Sequence, residues 1–143
     1  MAVTAAVCNS FKQEILMPAA GVHLAADVYK IALYTSGATI NKSTTVYSAT
    51  GEVGNSGDYA AGGQILAGFT AAIDVDTVYI DWTTNPLWTG ATIAAAGALV
   101  YNSSKTNKAV AVLDFGGVIT STNGNFLVTL PAPAAATAVI RIA

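Results

Sequence analysis

Charge is what this chain has least of. Its 143 residues include six Lys/Arg and eight Asp/Glu, 10% charged, against about 25% in an ordinary soluble domain. The basic residues Lys12, Lys30, Lys42, Lys105, Lys108 and Arg141 are scattered, and only Lys105 and Lys108 are near neighbours. Nucleic-acid binding needs a concentrated basic footprint, so no nucleic-acid partner is expected. The single cysteine, Cys8, rules out an intrachain disulfide. Set among Ala, Val and Asn, it reads as a small apolar side chain. The single histidine, His23, follows a Pro/Gly helix stop, and no G-x-S-x-G setting offers it a nucleophile. One histidine is also a poor start for zinc, which takes three or four ligands. We therefore expect no enzyme activity, no metal and no cofactor.

Long apolar runs are missing too. Leu87–Tyr101 carries no charge but spans only 15 residues, short of the roughly 20 needed to cross a bilayer. The opening MAVTAAVCNS lacks the basic and apolar regions of a signal peptide. No membrane association is expected. The Gly-rich run Gly51–Gly63 contains no G-K-[ST], so it has no lysine for phosphate and reads as a partner-clasping loop. Asp74, Asp76 and Asp81 are the one carboxylate group. They miss the D-x-[DN]-x-[DN]-G pattern, and turn chemistry is the expected reading, with Ca²⁺ as the alternative.

What fills the chain is apolar and neutral-polar: 53% hydrophobic residues, the rest largely Thr, Ser, Asn and Gly. So few charges favour association, hence a homo-oligomer or a part of a larger assembly. After residue 27 the pattern has period 2. Val28–Thr35, Thr77–Trp82, Phe126–Leu130 and Ala138–Ile142 alternate, and Gln64–Phe69 and Thr89–Ala95 add further strands. In Gly97–Gly116 two apolar runs, Ala98–Tyr101 and Ala109–Phe115, flank a loop carrying Lys105 and Lys108. This predicts a hairpin buried on both faces, with the lysines as exposed ends that keep an edge soluble. Asn123-Gly124 predicts a second hairpin, between Val118–Thr120 and Phe126–Leu130. Ser10-Phe-Lys-Gln13 fits a capping box opening a two-turn helix. Phe11, Ile15 and Leu16 share one side of it, and Pro18 and Gly21 stop it.

These elements predict one domain over residues 1–143: a short helical arm at about 9–18 and a β domain at about 27–143. The expected class is all-β, an antiparallel sandwich or jelly-roll-like fold of eight to ten strands. Trp82, Trp88, Tyr47, Tyr59 and Tyr79 read as core or interface anchors, with a sugar platform as the alternative. Phe11, Ile15, Tyr59 and Trp88 are the candidate partner-binding anchors. The helix, the hairpin and the Gly-rich loop are the candidate contact elements.

The phrases FKQEIL, YKIALYTSGAT, TTVYSATGEV, Tyr59-Ala-Ala-Gly-Gly63, GALVYNSSKTNKAVAVLDFG and NGNFLVTLP resemble a small virion protein encoded in many tailed-bacteriophage genomes. The resemblance runs from Phe11 to Pro131 and is similar to capsid decoration (cement) proteins. It implies a structural role, with the major capsid protein and further copies of the chain as partners, in a dimer or trimer. The implied location is the capsid exterior, after assembly in the host cytoplasm. A tail or head–tail adaptor part, with host-glycan binding as its role, is the alternative it implies. No site residue carries over from it.

Overall fold

A computed structural model describes residues 2–16 and 25–142. The fold is all-β, with two antiparallel sheets and one short helix among the described residues. Its elements are β1 (Ala6–Val7), α1 (Asn9–Ile15), β2 (Tyr29–Tyr34), β3 (Gln64–Leu66), β4 (Phe69–Asp74), β5 (Thr77–Trp82), β6 (Leu87–Asn102), β7 (Lys108–Leu127) and β8 (Ile140–Ile142). The larger sheet has the order β1-β7-β6-β2-β3 and the smaller the order β4-β5-β8. His23, Pro18 and Gly21 lie outside the described residues.

The β6–β7 hairpin organises the larger sheet. Where β2 covers β6, at Gly97–Asn102, and β1 reaches β7, at Ala111 and Val112, the strands are central. Ala98–Tyr101 and Ala109–Val112 are accordingly buried on both faces, as the unbroken apolar runs predict. Leu113 and Phe115 are only half-buried and Asp114 is exposed, so the doubly buried stretch ends earlier than the sequence suggests.

Three local expectations are corrected. The Asn123-Gly124 hairpin does not form, because residues 108–127 are one strand paired along β6. Asn123 does take the positive φ (46°) that its turn signal implies. It does so inside a bulge: two steps along β6, from Ala91 to Ile93, face three along β7, from Gly124 to Ser121. The Thr92 hydroxyl accepts the Asn123 N–H at 2.9 Å. A bulge uses the same left-handed residue as a turn, and a long partner strand lets pairing resume beyond it.

The capping box is also not made. Helix α1 starts two residues earlier, with Cys8 at its N-cap and no side-chain cap. Main-chain bonds fix that end, from Cys8 N–H to the Val110 carbonyl (3.0 Å) and from Asn9 N–H to the Lys42 carbonyl (2.8 Å). Phe11 is buried and Ile15 packs beside it, while Leu16 is exposed. Finally, the tip lysines are not free ends. Lys105 pairs with Asp27 at 3.8 Å and Lys108 with Glu14 at 3.5 Å, folding the tip back on the chain.

One apolar cluster draws on both sheets. Tyr29 of β2 stacks on Phe69 of β4 (centroids 5.6 Å apart) and tilts against Trp82 of β5 (5.3 Å). This aromatic triangle is the bolt between the sheets. Gly63 brings the Gly-rich loop back against β2. Its φ is +69°, and a Cβ there would lie 1.7 Å from the Ile31 carbonyl oxygen. Backbone cannot yield cheaply, so Gly63→Ala is expected to cost at least about 3 kcal/mol. Urea unfolding of the variant checks it; a loss below 1 kcal/mol, about the cost of an average substitution, would refute the close approach.

Candidate functional site

The densest polar cluster surrounds one carboxylate that sequence reasoning gave no role, Glu52. Its Oε1 accepts the Tyr59 hydroxyl and the Gly62 N–H, both at 2.7 Å, and its Oε2 accepts the Tyr47 hydroxyl at 2.6 Å. The Tyr59 oxygen in turn accepts the Leu33 N–H of β2 at 2.9 Å. Tyr101 of β6 donates to the Gly62 carbonyl at 2.7 Å, and its ring stacks on Tyr47 with centroids 4.7 Å apart. Tyr34 donates to the Ser48 carbonyl at 2.5 Å. The loop between β2 and β3 is thus sewn to the sheet from several sides.

Burial sets the chemistry of these phenols. It pushes Tyr59, Tyr47 and Tyr34 well above the ordinary tyrosine range, and the Glu52 charge adds to the shift in each. Tyr101 is pushed up to about 12 by burial and then by Glu52. All four are proton donors held in that state, bonded inward to the chain itself. The arrangement is a structural clasp; its phenols are not poised as bases or nucleophiles. Cys8 is likewise closed off, fully buried, its thiol raised by desolvation to about 11 despite the opposing charge of Lys12.

The aspartates do not converge. Asp74 ends β4 and Asp76 sits in the two-residue turn before β5. Asp81 lies buried within β5, its Oδ1 accepting the Trp82 N–H (2.8 Å) and its Oδ2 the Val139 N–H (3.3 Å). It ties β5 to the segment before β8. Among the described residues, no three His, Cys, Asp or Glu side chains could hold a metal ion together.

The four candidate anchors take other positions than expected. Phe11 and Trp88 are 2% exposed and Tyr59 is 1% exposed. Trp88 lies between Tyr59 and Phe126, with centroids at 5.3 and 6.4 Å. Ile15 is half-buried against the same core. These side chains are occupied inside the chain, packed in the core beside its aliphatic residues. The sugar platform is corrected for the same reason: Trp82, Trp88 and Tyr59 show no face to solvent, and Tyr47 and Tyr79 are half-buried.

The surface that can meet a partner lies at the ends of the strands. Ile73, Val78 and Ile142 are directly paired across β4, β5 and β8, so they share one face as a row. All three are exposed, as is Val75 at the adjoining turn. Two residues inward the same face carries Ile80 and the buried Ile140, so the apolar face continues past the edge of the core. A second region runs along β7, where Val118 and Ile119 are each 50% exposed. Beside it lies an apolar groove of about 600 Å³ between β1, β7 and the segment leading to β8. No family model, no curated protein and no solved structure matches the chain.

Two measurements test the polar assignments. Glu52→Ala strands two phenols and an amide and is expected to cost about 3 kcal/mol, since bonds to a charged acceptor contribute roughly 1.5–3 kcal/mol each and are not additive. Equal stability to the parent would show that the clasp is dispensable. For Asp81, burial outweighs the two amide bonds and raises the carboxyl pKa. A raised pKa means the folded state binds the proton more tightly, so stability from this group rises as pH falls through the folded value. The difference in unfolding free energy, parent minus Asp81→Asn, is therefore expected to move in the parent's favour on acidification from neutrality. A difference that moves the other way would show the ionised form to be the preferred one.

Proposed function

We propose that this protein is a structural component of a tailed-phage virion, a capsid decoration (cement) protein. It binds across boundaries between major capsid protein subunits and stabilises the head, with copies of itself as further partners. The observation that carries this reading is the exposed aliphatic row Ile73, Val78 and Ile142, with Val75 beside it, on a molecule with few charges. Contiguous apolar side chains at the surface mark a place where another protein docks. The family-like phrases support the same reading, because they carry Leu33, Tyr34, Tyr47, Glu52, Tyr59, Gly62 and Tyr101. These are the residues of the clasp, so what the phrases have in common is a scaffold.

The mechanism needs no chemical step. Docking the row against a subunit joint buries apolar surface, at roughly 25 cal/mol per Å² removed from water. An interface of roughly 1,600 Å² is the standard size for a stable contact. Repeated around a shell, each contact resists separation of the subunits it bridges. A glycan-binding tail or adaptor role would call for exposed rings, and Trp82, Trp88 and Tyr59 are buried.

Quantitative mass spectrometry of purified virions is expected to find this chain at a copy number comparable with that of the major capsid protein. A number typical of a single tail ring would overturn the head assignment in favour of a tail or adaptor part. The docking row is tested by Ile73→Lys combined with Val78→Glu, which sets opposite charges at the directly paired positions. At exposed positions the change in stability is expected to stay within about 0.5 kcal/mol per substitution. Co-sedimentation with empty capsids is expected to be lost; undiminished binding would move the contact elsewhere.

A further inference from the structure

Strand β7 has an edge with no strand partner over half its length. Its neighbours in the sheet are β6 on one side and β1 on the other, and β1 pairs only with Ala111 and Val112. Beyond that, between Ala95↔Ile119 and Gly97↔Asp114, two steps along β6 face five along β7. This large bulge, with Gly116 at φ 76°, separates the covered half of β7 from the free half. From Val118 to Leu127, no strand among the described residues pairs on the outer side. Gly116 to Thr120 are all exposed.

A free edge presents alternate N–H and C=O groups ready to template another strand. Proteins that keep such an edge in solution protect it with charge, proline, bulges, a cover or extreme shortness. Bulges flank Val118–Thr122 here, but the stretch itself carries no charge, no proline and no covering strand among the described residues. From Phe115 to Leu127 the sequence FGGVITSTNGNFL contains no charged residue and no proline, and Val118–Thr122 (VITST) is rich in β-branched residues.

We propose that this edge is where two copies of the chain join, Val118–Thr122 pairing antiparallel with itself and Thr120 facing its own twin at a two-fold axis. Three observations favour a second copy over another partner. In a two-fold pairing every group near the axis faces its own twin, so any charge there would meet a like charge; the segment has none. A two-fold pairing also consumes both edges at once and leaves none to propagate. The exposed side chains fit as well: Val118 and Ile119, each 50% exposed, would lie beside apolar neighbours of the second copy. The groove beside Ile119 supplies apolar surface next to the joined strands. The inference deepens the self-association in the reading above and rests on it; the location in a virion does not enter.

The test uses the purified full chain in sedimentation velocity at roughly 100 µM, well above the Kd of a modest interface. The expected result is a dimer. Ile119→Lys sets a charge near its own twin and is expected to weaken the dimer at least tenfold, with the thermal midpoint little changed. Thr120→Cys, near the axis, is expected to cross-link the dimer under mild oxidation, while the parent, whose Cys8 is fully buried, does not. The second variant keeps the test decisive should the first fail to fold. A monomeric parent would overturn the self-association and this inference together. A dimer that persists in Ile119→Lys, with no cross-link through Thr120→Cys, would overturn the two-fold edge alone. So would a trimeric parent.

Discussion

The rest of the larger sheet depends on one carboxylate. Between β2 and β3 the chain leaves the sheet for twenty-nine residues, Thr35 to Gly63, a loop with little regular structure of its own. Such a length is expensive to order, at roughly 1–2 kcal/mol of backbone entropy per residue. Glu52 offsets that locally by accepting from Tyr47, Tyr59 and Gly62 at once. The loop has to return against β2 closely enough for Gly63 to touch the Ile31 carbonyl, and β3 starts immediately after it. Without the clasp, β3 would have no fixed start and β2 would become an open edge.

The clasp also explains where the aromatic residues went. Most of the chain's rings are taken up by the core and the clasp. Tyr59 lies between Glu52 and Leu33 and packs on Trp88. Trp82 bolts the smaller sheet to Tyr29. The exposed row is left to Ile and Val at strand ends, uncovered by the other described residues.

Much of the fold was legible in the residues. Period-2 alternation located most of the strands. The double burial of Ala98–Tyr101 followed from a run with no polar position, and the Asp74–Thr77 turn followed from its aspartates. The failures share a cause: each local signal was real, but its consequence was decided by distant partners. Asn123 is left-handed, as a turn residue should be, yet β6 was long enough to hold it as a bulge. Ser10 could cap a helix, yet the Val110 and Lys42 carbonyls had already fixed that end. Lys105 and Lys108 look free along the sequence, but Asp27 and Glu14, the latter 94 residues away, neutralise them. Glu52 left no signal at all, since a lone Glu in a Gly-rich loop ordinarily means solvent. Only the tyrosines on either side of it, at 47 and 59, hinted at a shared acceptor.

Low charge takes on a physical meaning from these positions. Of the acidic residues, Glu52 and Asp81 are committed to internal amides and phenols, and Asp27 and Glu14 to lysines. Little charge remains to hold copies apart, and none lies between Phe115 and Leu127. A sequence under pressure to stay monomeric would place a lysine in VITST at small cost to the β6–β7 ladder, because Val118, Thr120 and Thr122 are all exposed on one face. The proposed self-pairing accounts for its absence, while Glu52, Asp81, Asp27 and Glu14 hold segments of the chain to one another.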